Sequence, residues 1–255
     1  MAHNRDYGRL ARIGLGTPQA NPTAEVEFGM LLPAGVSMLT TRLTSRGEPE
    51  QRLLDYFTGL APALASFDTL KLDAFAFACT GSSYLLDPTA EREQIDRLEQ
   101  QHGHPIITAA TAIRDALAFL GAQSIALACP YPQWLLDRAY RYWQSTGLQI
   151  VDSMSVQPEA GDTRSIYALQ GATATRQIER KLKPAAADII LIAGTGMPGL
   201  QAIIDLQQAT GKPTLTSNLC LAWSSLRKAS VPAGERAADR RFPLLSGWQS
   251  AIRQL

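Results

Sequence analysis

Phe75-Ala76-Phe77-Ala78-Cys79-Thr80-Gly81-Ser82-Ser83 is the stretch whose reading decides the fold. Its apolar run, led in by Leu72-Asp73-Ala74, has the length of a buried strand. The run stops at a thiol, and small hydroxyl-bearing residues follow. A strand ending this way puts a nucleophile-type side chain at the carboxyl edge of a sheet, where the next backbone N–H groups can hold an anion. A second run, Ala187-Asp188-Ile189-Ile190-Leu191-Ile192-Ala193, ends in the same manner at Gly194-Thr195-Gly196-Met197-Pro198. The chain thus carries one half-site twice, with a thiol in only one copy.

Strand and helix signals alternate outward from these runs. Ala11 to Leu15 reads as a strand, and Pro22 opens a helix towards Leu32 with Asn21 at the cap. Val36–Thr41 is a strand, and Glu50–Ser66 a helix with Leu53, Leu54, Phe57 and Leu60 on one face. Strands are expected at Asp73–Cys79 and Pro105–Ile107, and helices at Pro88–Gln101 and Thr108–Leu120, the last ended by Gly121. The pattern restarts with strands at Ser124–Cys129, Leu148–Met154, Asp188–Ala193 and Thr214–Thr216. Helices at Pro132–Ser145, Thr163–Leu182 and Pro198–Ala209 separate them, and a last helix begins at Ser217 or Asn218, capped by one of these. Such alternation predicts an α/β protein in two domains, each a roughly four-stranded parallel sheet flanked by helices. The first is expected over 1–121 plus about 226–255, and the second over 122–225. The tail Gly234–Arg241 reads as solvated.

The 255 residues carry 24 Lys and Arg against 23 Asp and Glu, a balance that gives no electrostatic footprint for nucleic acid. No run approaches the roughly 18 apolar residues of a membrane span, and the first residues lack a signal-peptide core. The three cysteines, Cys79, Cys129 and Cys220, are widely spaced and form neither a disulfide framework nor a zinc pattern. A reducing cytoplasm is the expected compartment. His102 and His104 flank Gly103 without further ligands in view, and His3 stands near the start of the chain.

Cys79 is therefore read as a nucleophile whose thiolate is favoured by nearby N–H donors, against the alternative of a buried structural cysteine. Thr80, Gly81 and Ser82 offer backbone donors to an anion. Gly194, Thr195 and Gly196 form a matching loop without the spacing of a dinucleotide fingerprint, against the alternative of a plain turn. Asn21, at the end of the first strand, caps a helix, faces a ligand, or does both. Tyr131, between Pro130 and Pro132, is either a stiffly held donor or a surface aromatic. Asn218 opens the last helix. Cys220 falls in its first turn among Leu219, Leu221 and Trp223, which favours burial.

The run Ala78-Cys79-Thr80-Gly81-Ser82-Ser83 resembles the first cysteine motif of the aspartate/glutamate racemase superfamily, in the branch of maleate cis–trans isomerases and arylmalonate decarboxylases. Asn21-Pro22-Thr23-Ala24-Glu25-Val26-Glu27, Pro130-Tyr131 and Ser217-Asn218 followed by Trp223 and Leu226-Arg227 resemble further motifs of that branch. The resemblance implies pseudo-symmetric halves with the active site in the cleft between them, no metal or organic cofactor, and a homo-oligomer. It also implies a small dicarboxylate or carboxylate substrate. In this chain the family's second cysteine position falls on Gly194, which cannot exchange a proton. The expected activity is a maleate-like isomerisation with Cys79 as nucleophile. Two alternatives stay open: decarboxylation of a malonate-type acid with Cys79 as sole proton donor, and carboxylate binding without chemistry.

Overall fold

Two parallel sheets with the same strand order frame the molecule; the computed structural model describes residues 5–156, 162–232 and 244–252. The first half runs β1 (Ala11–Pro18), α1 (Ala24–Leu31), β2 (Val36–Leu43), α2 (Pro49–Thr58), α3 (Leu60–Ala65), β3 (Ala74–Phe77), α4 (Thr80–Ser83), α5 (Pro88–His102), β4 (Ile106–Thr108) and α6 (Ala109–Phe119). The second runs β5 (Ser124–Cys129), α7 (Gln133–Ser145), β6 (Gln149–Ser155), a 3-10 turn (Thr163–Ala168), α8 (Gly171–Lys181), β7 (Ile189–Ile192), α9 (Leu200–Thr210) and β8 (Thr214–Thr216). Two helices, α10 (Ser217–Lys228) and α11 (Gln249–Ile252), follow. Gly234–Arg241 and His3 lie outside the described residues.

The sheets have the orders β2-β1-β3-β4 and β6-β5-β7-β8, with every neighbouring pair parallel. This is the expected pair of four-stranded sheets. In each, the chain runs to one side of the first strand and then returns to the other, so the order reverses between β1 and β3 and between β5 and β7. Loops leaving the carboxyl ends of such a strand pair diverge and leave a crevice. The loops at those ends carry Asn21, Cys79, Tyr131 and Thr195.

Three elements differ from expectation. The helix expected over Glu50–Ser66 breaks at Gly59. Pro62, in the first turn of α3, has no N–H for the Thr58 carbonyl and its ring crowds it. The buried face of α2 is Arg52, Leu53, Tyr56 and Phe57, with Leu54 only half-buried. The helix expected over Thr163–Leu182 is a 3-10 turn and then α8, separated by an extended Leu169-Gln170. The helix restarts at Gly171, where an added Cβ would come within 3.3 Å of the Pro198 carbonyl oxygen. Finally, α10 is capped by Thr216, whose hydroxyl accepts from Leu219 N–H at 3.2 Å, in place of Ser217 or Asn218.

Helix α10 packs on α6, β3 and α1, all of the first half. The chain crosses back there, ahead of the return expected near Leu226. One hydrophobic core is continuous across both halves, and a smaller one lies under α8 and α9 on the far face of the second sheet. No described helix is long and apolar enough to cross a membrane.

Candidate active site

Cys79 follows β3 in extended conformation (φ −145°, ψ 93°) and leads into the single turn of α4. Its side chain is 5% exposed. The backbone N–H groups of Gly81 and Ser82 turn toward the sulfur. Ser82 Oγ lies 3.1 Å from Sγ and donates to the Leu53 carbonyl at 2.7 Å. Burial pushes the thiol up from its ordinary pKa, and the Ser82 and Gly81 donors only partly offset it. The expectation of a favoured thiolate is thus corrected: one four-residue turn supplies too few donors to outweigh full enclosure of the sulfur.

The second loop is clamped against this strand end. Thr195 Oγ1 donates to the Ala78 carbonyl at 2.7 Å, and Asn21 Nδ2 donates to Thr195 Oγ1 at 3.3 Å. Asn218 Nδ2 donates to the Thr195 carbonyl at 3.0 Å and to Glu27 Oε2 at 2.8 Å. Thr23 Oγ1 donates to the Gly196 carbonyl at 2.9 Å. Asn21 also caps α1, accepting from the N–H groups of Thr23 and Ala24 at 2.9 and 3.1 Å.

Six of the residues singled out in the sequence share one cavity of about 40 Å³: Cys79, Thr80 and Gly81 on one wall, Tyr131, Thr195 and Gly196 on the other. Asn21, Ser82, Gly194 and Asn218 do not line it. They hold residues that do, through the bonds just described. Gly194 donates its N–H to Ser217 Oγ at 2.9 Å, and Ser217 Oγ receives the Thr80 hydroxyl at 3.0 Å. Gly194 adopts φ +132°, and a Cβ there would stand 2.8 Å from Pro130 Cγ and 3.3 Å from the Tyr131 hydroxyl. The tyrosine loop fills the space a side chain at 194 would take. Tyr131 is held in turn by an edge contact with Tyr84, ring centroids 6.0 Å apart, and Tyr84 accepts from Trp143 Nε1 at 3.1 Å.

The cavity has walls that sequence reasoning missed. Arg52 and Tyr56 enter from α2, and Thr163, Arg164 and Tyr167 from the 3-10 turn. Arg52 is 2% exposed, a rare state for an arginine and one that requires partners. Its Nη2 donates to Asp162 Oδ1 at 2.5 Å and to Thr163 Oγ1 at 3.2 Å. Burial raises Tyr56 to about 12, with the charge of a Cys79 thiolate as the next cause. Burial likewise holds Tyr131 and Tyr167 well above the ordinary phenol value. All three phenols are therefore hydrogen-bearing near neutral pH. A pocket with one thiol, three phenols, two guanidinium groups and turn N–H donors is built to receive an anion beside a nucleophile. Cys129 and Cys220 are wholly buried, burial raises both thiols, and neither lines the cavity. Cys220 therefore does not take the place of a second cysteine.

Comparison with known proteins agrees with this fold. The chain is 25% identical over 234 residues to a maleate isomerase of Geobacillus stearothermophilus, covering 86% of this chain and 92% of that one. The crystal structure of maleate isomerase Iso from Pseudomonas putida S16 superposes with a TM-score of 0.80 at 22% identity, covering 88% of this chain and 94% of that one. A Nocardia farcinica maleate cis–trans isomerase, a cysteine-to-serine mutant with a covalently bound succinylcysteine intermediate, superposes with a TM-score of 0.75 at 22% identity and the same coverage. These structures share the two-sheet fold. The family model described as arylmalonate decarboxylase matches residues 57–242, most of the chain and including Cys79, Tyr131 and Thr195, and the protein therefore belongs to the arylmalonate decarboxylase family.

Proposed function

We propose that the protein is a cofactor-independent cis–trans isomerase of a small maleate-like dicarboxylate, with Cys79 as nucleophile. The observation that carries this reading is a single sulfur on a cavity whose facing wall has no second thiol. The Cys79 thiolate adds to one alkene carbon. The π electrons move onto the far carboxylate, giving an enediolate. The former double bond is then single, so it rotates, and the enediolate expels the thiolate to leave the trans acid. Carbon is never protonated on this path, so Gly194 in the second cysteine position is no obstacle. Covalent addition divides a forbidding rotation into accessible steps. The developing charge needs preorganised donors. Gly81 N–H, the Thr195-Gly196 backbone and the Tyr131 hydroxyl are the donors we assign to the substrate; Asn21, Ser82, Gly194 and Asn218 position them. The curated relative called maleate isomerase supports the reading, and the succinylcysteine adduct of the Nocardia enzyme, saturated and therefore protonated at the second carbon, supports the sulfur–carbon bond of its first step.

The raised thiol pKa favours a second reading. A thiol that keeps its proton is an acid, and Cys79 as sole acid would protonate one face of an enediolate left by decarboxylation of a malonate. Proton NMR separates the two. Incubation with maleate in heavy water yields unlabelled fumarate under the first reading. Arylmalonate yields carbon dioxide and a singly deuterated monoacid under the second. Cys79→Ala lowers the active conversion by roughly a thousandfold or more; unchanged turnover in that variant removes both.

A further inference from the structure

We propose that Arg52 recognises the second carboxylate of the substrate, and that Asp162 is an intramolecular carboxylate standing in that subsite until substrate displaces it. The proposal deepens the dicarboxylate reading above and rests on it. Arg52 lies one helical turn before Tyr56 on the wall of the Cys79 cavity, and its side chain is 2% exposed. A guanidinium so enclosed is almost always paired. Its Nη1 donates to the Gly47 carbonyl at 3.3 Å, and its Nη2 to Thr163 Oγ1 and to Asp162 Oδ1. The anion it meets is thus a carboxylate, which is the group the substrate carries.

Asp162 is suited to leaving. Its side chain is 39% exposed, against 2% for its partner. Its other oxygen, Oδ2, already accepts from Arg164 Nε at 3.2 Å and Nη2 at 2.9 Å. When Asp162 withdraws from Arg52 it therefore keeps a cationic partner, itself half-exposed. Exchange of one carboxylate for another leaves the net charge at Arg52 unchanged. The exchange also reshapes the site, because the segment that carries Asp162 forms part of the cavity wall. The 3-10 turn that Asp162 caps, accepting from Arg164 N–H at 2.9 Å, contributes Thr163, Arg164 and Tyr167 to that wall. Displacing Asp162 therefore acts on the cavity wall as well as on the Arg52 subsite. A diacid triggers it and a monoacid does not, which makes Arg52 the residue that selects dianions.

The test is calorimetric titration of maleate and of its monoamide, maleamate, into Cys79→Ala protein, where no turnover intervenes. Maleate is expected to bind at least about tenfold tighter than maleamate. Adding Arg52→Lys should collapse that ratio towards one, a readout that general loosening of the fold does not move. Adding Asp162→Asn should tighten maleate by roughly threefold or more, because the competing charge is gone. An unchanged ratio in Arg52→Lys, or maleate binding equal or weaker in Asp162→Asn, overturns the proposal, as does failure of maleate to bind. Should Arg52→Lys not fold, as judged by circular dichroism, the Asp162→Asn result decides alone. If the expected binding pattern appears while intact protein makes no fumarate, the isomerase reading fails and the carboxylate subsite stands.

Discussion

As the proposed nucleophile, Cys79 has to act as an anion where burial works against one. Its N–H and hydroxyl donors offset only part of the desolvation, so its pKa stands above the usual thiol value. A group with a raised pKa is mostly protonated at neutral pH, and its reactive fraction grows about tenfold for each pH unit until the pKa is reached. Alkylation of Cys79 by iodoacetamide is therefore expected to accelerate steadily through neutral pH, with no plateau below about 8.5, the free-thiol value. A plateau near pH ~7 would mean that the donors outweigh burial. Ser82→Ala removes a hydroxyl whose one proton can turn from the Leu53 carbonyl to a Cys79 thiolate, and should slow labelling at a fixed mildly alkaline pH by severalfold. Gly194 poses the complementary constraint. At φ +132°, with Pro130 2.8 Å from any Cβ, Gly194→Ala is expected to cost about 1–3 kcal/mol in urea denaturation. Gly194→Cys should bear the same penalty, so a second thiol cannot simply be restored without moving the tyrosine loop.

Helix α1 meets the start of α9 through one buried carboxylate. Glu27 Oε1 accepts from the N–H groups of Gly199 and Leu200 at 2.6 and 3.2 Å, and Oε2 from Asn218. It satisfies an otherwise orphaned helix start on the opposite half. Glu27→Ala should cost about 2–4 kcal/mol in urea denaturation, since buried donors lose their acceptor. Burial raises the Glu27 pKa, with the Gly199, Asn218 and Leu200 hydrogen bonds opposing. A carboxyl raised on folding stabilises the fold fully below its unfolded pKa of about 4.3, and that contribution is lost as pH rises through the folded value. Stability measured against Glu27→Gln should decline over that window, and a constant difference would show that Glu27 does not titrate as described. Elements such as β5 and β7 were legible because apolar runs bounded by turn residues have few alternatives. The site was legible where it sat on strand ends, as with Cys79 and Thr195. Arg52 and Tyr56 were not, because a helical face bearing an arginine reads as solvated until a second half covers it. The charge of Arg52 is tolerated there only through Asp162, which lies 110 residues away and has no local signature. Glu27 stood in the N-terminal motif, but its role was illegible for the same reason: it is an acceptor only once α9 is placed.

Two sheets with matching topology suggest two folding units, but the contacts argue otherwise. Thr195 bonds to Ala78, Thr80 to Ser217, Glu27 to Gly199 and Arg52 to Asp162, all between the sheets' loop ends. Farther out, Glu91 of α5 receives the Tyr142 hydroxyl of α7 at 2.8 Å and the Ser83 hydroxyl at 2.6 Å. The principal core runs without a break from Leu53 and Tyr84 to Leu135 and Trp143. Helix α10 leaves β8 of the second sheet and buries nearly its whole length on α6 and β3 of the first. We propose that the halves are units of topology and not of stability, the division near Gly121 marking where the pattern repeats. Neither half could separate without stripping α10 from its neighbours and exposing the Glu27, Arg52 and Glu91 carboxylate pairs. Urea unfolding should then show one transition, with tryptophan fluorescence and far-ultraviolet circular dichroism coinciding. Trp143, on α7 of the second half, reports that half and its seam with Tyr84, and Trp223, on α10, reports the first. Retaining either tryptophan alone should leave the midpoint the same for both reporters. Two separated midpoints would show that each sheet holds its own fold and that the shared core contributes less than the packing indicates.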